Sequence, residues 1–481
     1  MKIAVIGAGL TGLVTAKCLA AYGHAPTIFE QRERIGGVWE QSRRYAGLRI
    51  QSPRELYVFS DFEMPTDYPE FPTGAQISDY LDAYIAKFKL AGLIRFGTRV
   101  TALRRQAGRP GWTVSTVGPS GQASEHFDHV VVCTGRNAIP EKFELPGQTA
   151  FEAAGGRVVH SVEFHDPATA EGKDVVVVGF GKSALDVAYE ARKHAKRVSI
   201  LFRRTAWHVP YKLFGLVPTK RLSYSRSAEF WFGRKSRGFQ GFVHRSLPWL
   251  VRLYWMVGDF VISAHLGLRG AMRPPFPLRR SVGIAMGFAV VDNLRALRDG
   301  YISPVKGEAA KLSPNGVELA SGESLPAQLL ILATGFAQDL SLFAPEDRAQ
   351  FLTPSGDYRL YRHLVAPDLP DMTFNGFNAT TAVPLTSEVS AHWIARWIDG
   401  RLKRPDSKAM HAEIDDDLAW RRANLPANPH FGHFVAPLSF HYLDTLLADM
   451  GFKPADAKHF ALTRNNAMLN PKDYAFLNGT T

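Results

Sequence analysis

The chain has 481 residues, 46% of them apolar, which is enough for about two to four domains with buried cores. Its 57 Lys and Arg residues against 45 Asp and Glu give a net charge of +12, which predicts an anionic partner or ligand. The two cysteines, Cys18 and Cys133, exclude a disulfide framework, a cysteine-rich zinc module and a CxxC redox pair. The sequence has no evident signal peptide and no uncharged run of about 18 residues, so we expect a cytoplasmic protein.

The first 30 residues follow the pattern strand, glycine-rich turn, helix, strand. Lys2–Ile6 is an apolar strand, the turn follows directly, and a second strand at Thr27–Phe29 ends in Glu30. In such a unit the first glycine permits a tight turn, the second lets a pyrophosphate approach, and the third lets helix and strand pack closely. A carboxylate after the second strand accepts hydrogen bonds from ribose hydroxyls and repels a 2′-phosphate. The pattern therefore predicts an FAD site, with three glycines in these roles: Gly7, Gly9 and Gly12.

The region after this unit is rich in turns. Gly37 would let the chain pass beside a pyrophosphate, and Trp39 would cover it. A helix is predicted near Ile77–Leu90, and strands near residues 99–103, 112–117 and 130–132. The last of these strands ends in a turn that contains Thr134 and Gly135, which we expect at the cofactor.

A second unit of the same kind begins at residue 174. The strand Asp174–Val178 leads into a turn with Gly179, Gly181 and Ser183, and Ala184 replaces the third glycine. The strand at residues 198–202 ends in two arginines, at the place where the first unit has its glutamate. Because guanidinium groups pair with phosphates, this unit is predicted to bind NADPH through its 2′-phosphate, with two arginines in that role: Arg203 and Arg204.

The segment Arg203–Arg280 carries the basic excess of the chain. It holds 15 Lys and Arg, 2 Asp and Glu, and 14 aromatic residues. The preferred interpretation is a helical insertion that packs its aromatic side chains on the second unit and walls a substrate channel. A peripheral membrane contact through Leu247–Leu268 is an alternative. Nucleic acid is not expected as a partner, because no nucleic-acid-binding module is recognisable.

The remaining elements complete a predicted α/β fold with two Rossmann-like dinucleotide-binding domains. A helix is expected at residues 289–298, a hairpin around 317–325, a strand at 329–332 followed by Thr334 and Gly335 at a cofactor, and an amphipathic helix near 388–399. The NADPH domain, 166–328 with a helical insertion at about 207–285, is predicted to interrupt an FAD domain formed by 1–165 and 329–481. The 16 histidines include no HxH or HExxH arrangement, so no metal site is expected.

The segment between the two glycine-rich turns can be compared with a pattern of four spaced residues: an aromatic residue, Gly, His and a second aromatic residue. Gly156, His160 and Phe164 match it, and Ala154 stands where the leading aromatic would be. Two further segments, Leu332–Phe336 and Thr386–Glu388, also match the same family. By these residues the sequence resembles the flavin-containing monooxygenases, a branch of the class B flavoprotein monooxygenases. Phe164, in place of Trp, favours this branch over the Baeyer–Villiger enzymes.

Other segments resemble the plant branch that includes pipecolate N-hydroxylases, namely residues 48–53, 59–62, 179–186 and 207–210. Many family members place an Asn beside the flavin where this chain has Gln51. The resemblance therefore implies a catalytic amide at Gln51, with an ordinary loop residue as the equal alternative.

The resemblance implies FAD and NADPH as cofactors and O2 as co-substrate. NADPH would reduce FAD, the reduced flavin would bind O2 as a C4a-hydroperoxide, and a nucleophilic small-molecule substrate would take the distal oxygen. N-hydroxylation of an amine or amino acid, or S-oxygenation, is the preferred reaction. Baeyer–Villiger oxygenation of a ketone is one alternative. A membrane- or partner-binding flavoprotein with uncoupled NADPH oxidase activity is another.

Overall fold

The computed structural model describes residues 1–106, 108–234, 238–281, 287–289, 291–378, 380–425, 427, 432–433, 435, 438–452 and 468–479. Its strands are β1 (Lys2–Ile6), β2 (Ala25–Phe29), β3 (Ile94–Arg95), β4 (Arg99–Gln106), β5 (Arg109–Gly118), β6 (Gly121–Phe127), β7 (His129–Val132), β8 (Ile139–Pro140), β9 (Arg157–His160), β10 (Asp174–Val178), β11 (Arg197–Phe202), β12 (His208–Pro210), β13 (Lys212–Leu213), β14 (Val217–Pro218), β15 (Gly287–Ala289), β16 (Ser303–Lys306), β17 (Ala309–Ser313), β18 (Gly316–Leu319), β19 (Ser324–Pro326), β20 (Leu329–Leu332), β21 (Phe336–Ala337) and β22 (Met372–Phe374). Its α-helices are α1 (Leu10–Ala21), α2 (Gly74–Phe88), α3 (Gln148–Ala153), α4 (Lys182–Ala191), α5 (Thr219–Ser223), α6 (Arg226–Phe230), α7 (Gly238–Ser246), α8 (Pro248–Leu266), α9 (Leu278–Ser281), α10 (Val291–Arg298), α11 (Pro345–Phe351), α12 (Val383–Ile398), α13 (Ser407–Asn424) and α14 (Ser439–Asp449).

Two five-stranded parallel sheets share one strand order. The first runs β22-β7-β1-β2-β3 and the second runs β9-β20-β10-β11-β16. In each unit a three-stranded antiparallel meander, β4-β5-β6 or β17-β18-β19, precedes the strand that pairs with the first strand of the unit. Strands β1, β7, β10 and β20 read as apolar runs because both faces of a parallel sheet are covered. The predicted α/β fold with two Rossmann-like units is confirmed.

The sheet pairing bears on two of the predicted domain boundaries. Strands β9 and β20 were expected in the first, discontinuous domain, which was predicted as 1–165 and 329–481. Instead, β20 pairs with β10 on one side and with β9 on the other, so both belong to the second sheet. A strand belongs to the sheet with which it forms backbone hydrogen bonds. The four apolar residues of β20 would suit either sheet, so their sequence does not indicate which one they join. Ala333–Gly335 therefore follows the second sheet in the position that Cys133–Gly135 takes in the first.

The helix predicted as amphipathic near residues 388–399 begins earlier and is buried on nearly all sides. This helix, α12, packs between α1 and α14. Several of its polar side chains are buried with hydrogen-bond partners, among them Ser390, which hydrogen-bonds the Tyr442 hydroxyl at 3.0 Å. The helix thus links the first unit to the C-terminal part of the chain.

The predicted insertion is helical and contains α5 to α9. Its aromatic residues divide between two environments, since Trp207 and Phe232 are buried whereas Trp249 and Phe260 are exposed. Part of the predicted 207–285 segment, residues 235–237 and 282–285, lies outside the described residues. None of the helices that the structure describes is long and apolar enough to cross a membrane.

Candidate dinucleotide sites

A cavity of about 230 Å³ lies at the carboxyl end of the first sheet, beside the start of α1. The turn after β1, the loop after β2 and the turn after β7 form its walls. This is the edge at which open parallel sheets bind ligands. Seven of the predicted site residues line it: Gly7, Gly9, Glu30, Gly37, Trp39, Thr134 and Gly135.

The glycines of the first turn are required by close backbone contacts. Gly7 has φ +104°, and a Cβ added there would lie 2.8 Å from the Cys133 carbonyl oxygen. A Cβ on Gly12 would lie 1.9 Å from the Gly7 oxygen. On the cavity side, Gly9 precedes α1 without any side-chain cap, and a Cβ on Gly37 would lie 3.3 Å from the Gly9 Cα. The first amides of α1 are therefore available to an anionic group in the cavity.

Glu30 stands at the end of β2 with its carboxylate oriented by the backbone. Its Oε2 accepts from the Ala8 amide at 2.8 Å, and its Oε1 accepts from the Arg32 amide at 2.9 Å. Burial raises the pKa of Glu30, against the effect of these two hydrogen bonds. A carboxylate has more than two acceptor positions, so Glu30 can still accept from hydroxyl groups in the cavity.

Two further cavity residues have polar groups that suit a dinucleotide. The Trp39 indole donates to the Tyr57 hydroxyl at 3.1 Å, which fixes both rings in the cavity wall. The Thr134 hydroxyl is buried and finds no partner among the described residues. An unpaired buried hydroxyl is costly, and a polar ligand in the cavity would satisfy it. The first unit therefore fits a bound dinucleotide.

The second unit repeats the geometry of the turn. Gly179 has φ +128°, and a Cβ there would lie 2.4 Å from the Ala333 oxygen, the counterpart of the contact between Gly7 and Cys133. Gly181 precedes α4 without a side-chain cap, and no described atom lies within 4 Å of a Cβ added to it. The Ser183 hydroxyl donates to the Tyr45 hydroxyl at 3.3 Å, which joins the second turn to a loop of the first unit.

The residues that follow the second strand of each unit differ in charge: an acidic residue follows β2 and two basic residues follow β11. Arg203 and Arg204 are exposed after β11. The Arg203 side chain is 76% exposed and forms a 3.4 Å ion pair with Glu308, which is also exposed. Such an exposed ion pair contributes little free energy, so a phosphate can replace it readily. The position equivalent to Glu30 thus carries accessible positive charge.

The turn after β20 is built differently from its counterpart after β7. The Thr334 hydroxyl donates to the Glu141 carbonyl at 2.5 Å, and the Gly335 carbonyl accepts from His160 Nε2 at 3.1 Å. His160 Nδ1 accepts from the Val162 amide, so the proton lies on Nε2. Burial lowers the pKa of His160, which favours this neutral ring. His160, one of the pattern residues, therefore joins β9 to the Gly335 turn.

Gln51 is not brought into the cavity. Its side chain is exposed, and its backbone carbonyl accepts from the Tyr224 hydroxyl at 3.3 Å. The catalytic role of Gln51 stays a prediction.

Arg43 lines the cavity but belongs to no motif that the sequence analysis identified. Its guanidinium donates to the carbonyls of Asn137 and Ala138 and lies 5.5 Å from the centre of the Phe336 ring. Burial lowers the pKa of Arg43 to about 10. This arginine holds the turn after β7 against the loop after β2, a contact between segments that are distant in sequence.

The Thr386–Glu388 motif supports the first turn from α12. Ser387 hydrogen-bonds the Thr11 hydroxyl at 3.1 Å, and the Glu388 carboxylate accepts from the amide and the hydroxyl of Ser60. Lys17 of α1 lies 3.6 Å from Glu388 and pairs with Asp61. The motif therefore has a structural role. Its contacts give Ser60 and Asp61 of the 59–62 segment a structural role as well.

Within the described residues, no group of three His, Cys, Asp or Glu side chains is placed to hold a metal ion. Two Rossmann-like units, each with a glycine-rich turn at the carboxyl end of its sheet, are typical of oxidoreductases that use two dinucleotide cofactors.

Comparison with known proteins identifies the family. The flavin-binding monooxygenase-like family model matches residues 1–231. A rabbit (Oryctolagus cuniculus) relative named dimethylaniline monooxygenase [N-oxide-forming] 2 is 37% identical, covering 94% of this chain and 83% of that protein. Probable flavin-containing monooxygenase 1 of Arabidopsis thaliana is 29% identical, covering 96% and 94%. The chain belongs to the flavin-containing monooxygenase family, whose members are enzymes that bind FAD and use NADPH.

The same fold is found in a solved structure. S-allyl-L-cysteine S-oxygenase from Allium sativum superposes with a TM-score of 0.63 at 20% identity, covering 100% of this chain and 98% of that one.

Proposed function

We propose that this flavin monooxygenase oxygenates a soft nucleophile, with N-hydroxylation of an amine or amino acid as its principal reaction. The observation that carries the proposal is the N-oxide-forming relative, which is 37% identical over nearly the whole chain. Phe164, which is buried beside the loop after β2, also agrees with this branch of the family. In the balanced reaction, substrate, O2, NADPH and a proton give the oxygenated product, NADP⁺ and water.

The first unit is proposed to hold FAD. The start of α1 and the closely spaced Gly9 and Gly37 would receive the pyrophosphate, and Glu30 would accept from the ribose hydroxyls. Gly7 and Gly12 would keep the turn tight enough for this approach. The Thr134 hydroxyl and the Gly135 turn would close the site from the side of β7, and Trp39 would cover it.

The second unit is proposed to hold NADPH. Gly179, Gly181 and Ser183 would place its pyrophosphate at the start of α4. The two arginines after β11 would bind the 2′-phosphate, since each offers several N–H donors in a fixed geometry. Thr334 and Gly335 would bound this site from the side of β20. The domain division follows the two sheets, with β9 and β20 in the NADPH domain.

The contribution of the chain to catalysis is proposed to be orientation and the exclusion of water. FAD bound in the first unit would supply the redox chemistry, with NADPH as the electron donor and O2 as the source of the transferred oxygen atom. The buried Trp39 ring and the half-buried Tyr57 ring give this part of the cavity wall an apolar surface. The 3.3 Å hydrogen bond between Ser183 and Tyr45 would hold the second unit, with its NADPH, in position against the first unit, with its FAD.

S-oxygenation is the second candidate reaction, favoured by the S-oxygenase from Allium sativum that shares the fold over the whole chain. Both reactions use a lone pair on a soft atom, so one active site can serve both.

The test measures NADPH oxidation, oxygenated product and H2O2 separately, for a tertiary amine, a secondary-amine amino acid, a thioether and a cyclic ketone. We expect N-oxygenated product to account for most of the NADPH consumed with an amine substrate. Product formed only from the ketone would overturn the proposal in favour of Baeyer–Villiger oxygenation. Peroxide equal to NADPH with every compound would indicate an uncoupled oxidase.

A further inference from the structure

The backbone around Gln51 is fixed, although the Gln51 side chain is exposed. Its neighbours Ile50 and Ser52 are buried, and the Ile50 amide donates to the Pro72 carbonyl at 3.1 Å. An accessible polar side chain on a fixed loop is typical of residues that bind or react, because the scaffold determines where the group lies. The contacts that hold residues 50–55, which we call the Gln51 loop, therefore determine the position of this amide.

One of these contacts comes from the helical insertion of the second unit. Tyr224, the residue that follows α5, is buried, and its hydroxyl donates to the Gln51 carbonyl at 3.3 Å. The same hydroxyl lies 3.5 Å from the Ser52 hydroxyl. Burial raises the pKa of Tyr224 above its ordinary value, so this donor keeps its proton at neutral pH. A side chain of the insertion thus holds the backbone of the first unit at Gln51.

The insertion contacts the Gln51 loop and the segment beside it at further points. Lys220 of α5 forms 2.7 Å ion pairs with two carboxylates, those of Glu55 and Glu70. The Tyr211 ring stacks on the Phe71 ring with their centres 3.6 Å apart. An ion pair, a ring stack and a hydrogen bond therefore join the insertion to this part of the first unit, and the loss of one of them leaves the others in place.

A second route connects the Gln51 loop to the insertion through α14. The Ser52 hydroxyl donates to the Thr381 carbonyl at 3.1 Å, and the Thr381 amide donates to the Ser439 hydroxyl at 3.1 Å. Ser439 begins α14, and the next amide, that of Phe440, donates to the Glu229 carboxylate at 2.6 Å. Glu229 belongs to α6, the helix that follows α5. These contacts close a ring through the insertion, the loop and α14, so that each limits the movement the others would allow.

We infer that the insertion positions the Gln51 loop for oxygen transfer, and that Tyr224 is a positioning residue in this step. The inference rests on the proposed oxygenation and on the predicted role of the Gln51 amide. A misplacement of about 1 Å can cost about 100-fold in rate, so a loop without this contact would transfer oxygen poorly. NADPH, O2 and a proton would then give NADP⁺ and H2O2, and the substrate would stay unchanged. Tyr224 thus contributes to the coupling of NADPH oxidation to product formation, and not to the binding of NADPH.

The first experiment compares the FAD-loaded Tyr224→Phe variant with the wild type, using the compound of the panel that the wild type oxygenates best. Product per NADPH consumed should fall by about threefold to tenfold, with H2O2 making up the difference, while the KM for NADPH stays unchanged. Tyr442→Phe is the matched control, because this tyrosine is also buried and its hydroxyl hydrogen-bonds Ser390, outside the ring of contacts. It should couple like the wild type. Unchanged coupling in Tyr224→Phe, or an equal fall in Tyr442→Phe, would overturn the inference.

A double-mutant cycle tests whether Tyr224 acts through Gln51. Gln51→Ala should lower the product per NADPH at least as much as Tyr224→Phe does, and adding Tyr224→Phe to it should cause no further fall. Wild-type coupling in Gln51→Ala, or a further fall of full size in the double variant, would show that the loop is not positioned for this amide. A wild type that forms product only from the thioether or the ketone would instead reject N-hydroxylation, and the same variants would then be compared with that compound.

Discussion

The two dinucleotide units have the same strand order and the same tight turn, but the surroundings of the two turns differ. In the first, Gly37 of the following loop lies against Gly9, and Glu30 is buried in the cavity wall. In the second, no described atom faces a Cβ added at Gly181, and Arg203 is exposed. We expect the first unit to retain its cofactor and the second to exchange its nucleotide in every turnover.

The difference extends to what supports each helix. Helix α1 is anchored by Lys17, which pairs with Asp61 and Glu388 and donates to Asn478 at 2.8 Å, near the C-terminus. Helix α4 carries one buried pair, between Lys182 and Asp186, close to its own start. A cofactor that stays bound needs a fixed helix beside it, whereas a nucleotide that is exchanged needs an accessible helix. Helix α1 suits the first case and helix α4 the second.

The largest expected effect is that of Lys17→Met on stability. The change leaves the Asp61 and Glu388 carboxylates without their cation, and breaking a buried pair costs about 3–5 kcal/mol. Burial would lower the pKa of Lys17, but the nearby carboxylates raise it above its ordinary 10.5. The stabilisation is therefore complete below pH 10.5 and is lost only as the pH rises through the folded value.

Urea unfolding of the FAD-loaded protein at neutral pH measures this loss. The matched variant in α4 is Lys182→Met, which leaves Asp186 with donors from Tyr45 at 3.1 Å and Asn293 at 3.0 Å and should cost less. Adding Glu388→Gln to Lys17→Met should recover part of the stability. Equal losses in α1 and α4 would contradict the difference in anchoring.

Gly12→Ala is expected to have the next largest effect. Its Cβ would lie 1.9 Å from the Gly7 oxygen, so the turn must open, at a cost of about 1–3 kcal/mol, and bound FAD should be lost. The second unit already has Ala184 at this position, and Ala184→Gly should cost only about 1 kcal/mol and leave FAD in place. The ratio of flavin to protein absorbance reports both results. Full flavin content in Gly12→Ala would show that the first turn accommodates an alanine at this position as well as the second turn does.

The features that the sequence predicts well are local ones. The glycine spacing and the residue after the second strand, Glu30 or Arg203, are separated by fewer than about 30 residues, and both turns formed as expected. The sheet that β20 joins could not be predicted, since four apolar residues fit either sheet. Arg43 and Tyr57 reach the cavity from loops with no periodicity, so their contribution depends on tertiary packing. The exposure of Phe260 could not be predicted either, because the sequence of an apolar helix does not indicate which of its faces packs against the protein.

The strand-end residues allow a test of nucleotide choice. Arg203→Ala removes a guanidinium proposed to bind the 2′-phosphate, and it should raise the KM for NADPH by about tenfold or more while changing that for NADH little. Arg204→Ala should act in the same direction. Glu30→Gln, at the equivalent position of the first unit, should leave both KM values unchanged once the enzyme is saturated with FAD. A similar rise for NADPH and NADH would reject the phosphate assignment.

The smallest expected effect distinguishes two threonines at equivalent turns. The Thr134 hydroxyl is buried without a partner among the described residues, whereas Thr334 donates to the Glu141 carbonyl. Thr134→Val, which keeps the shape and removes the hydroxyl, should weaken FAD binding by about threefold to tenfold and cost the FAD-free protein almost nothing. Thr334→Val should do the reverse, since it removes the hydroxyl that donates to the Glu141 carbonyl while FAD binds as before. Titration of FAD-free protein, followed by flavin fluorescence, measures the first effect, and urea unfolding measures the second. If Thr134→Val binds FAD as tightly as the wild type, its hydroxyl does not meet the cofactor, and the two turns differ only in their internal hydrogen bonds.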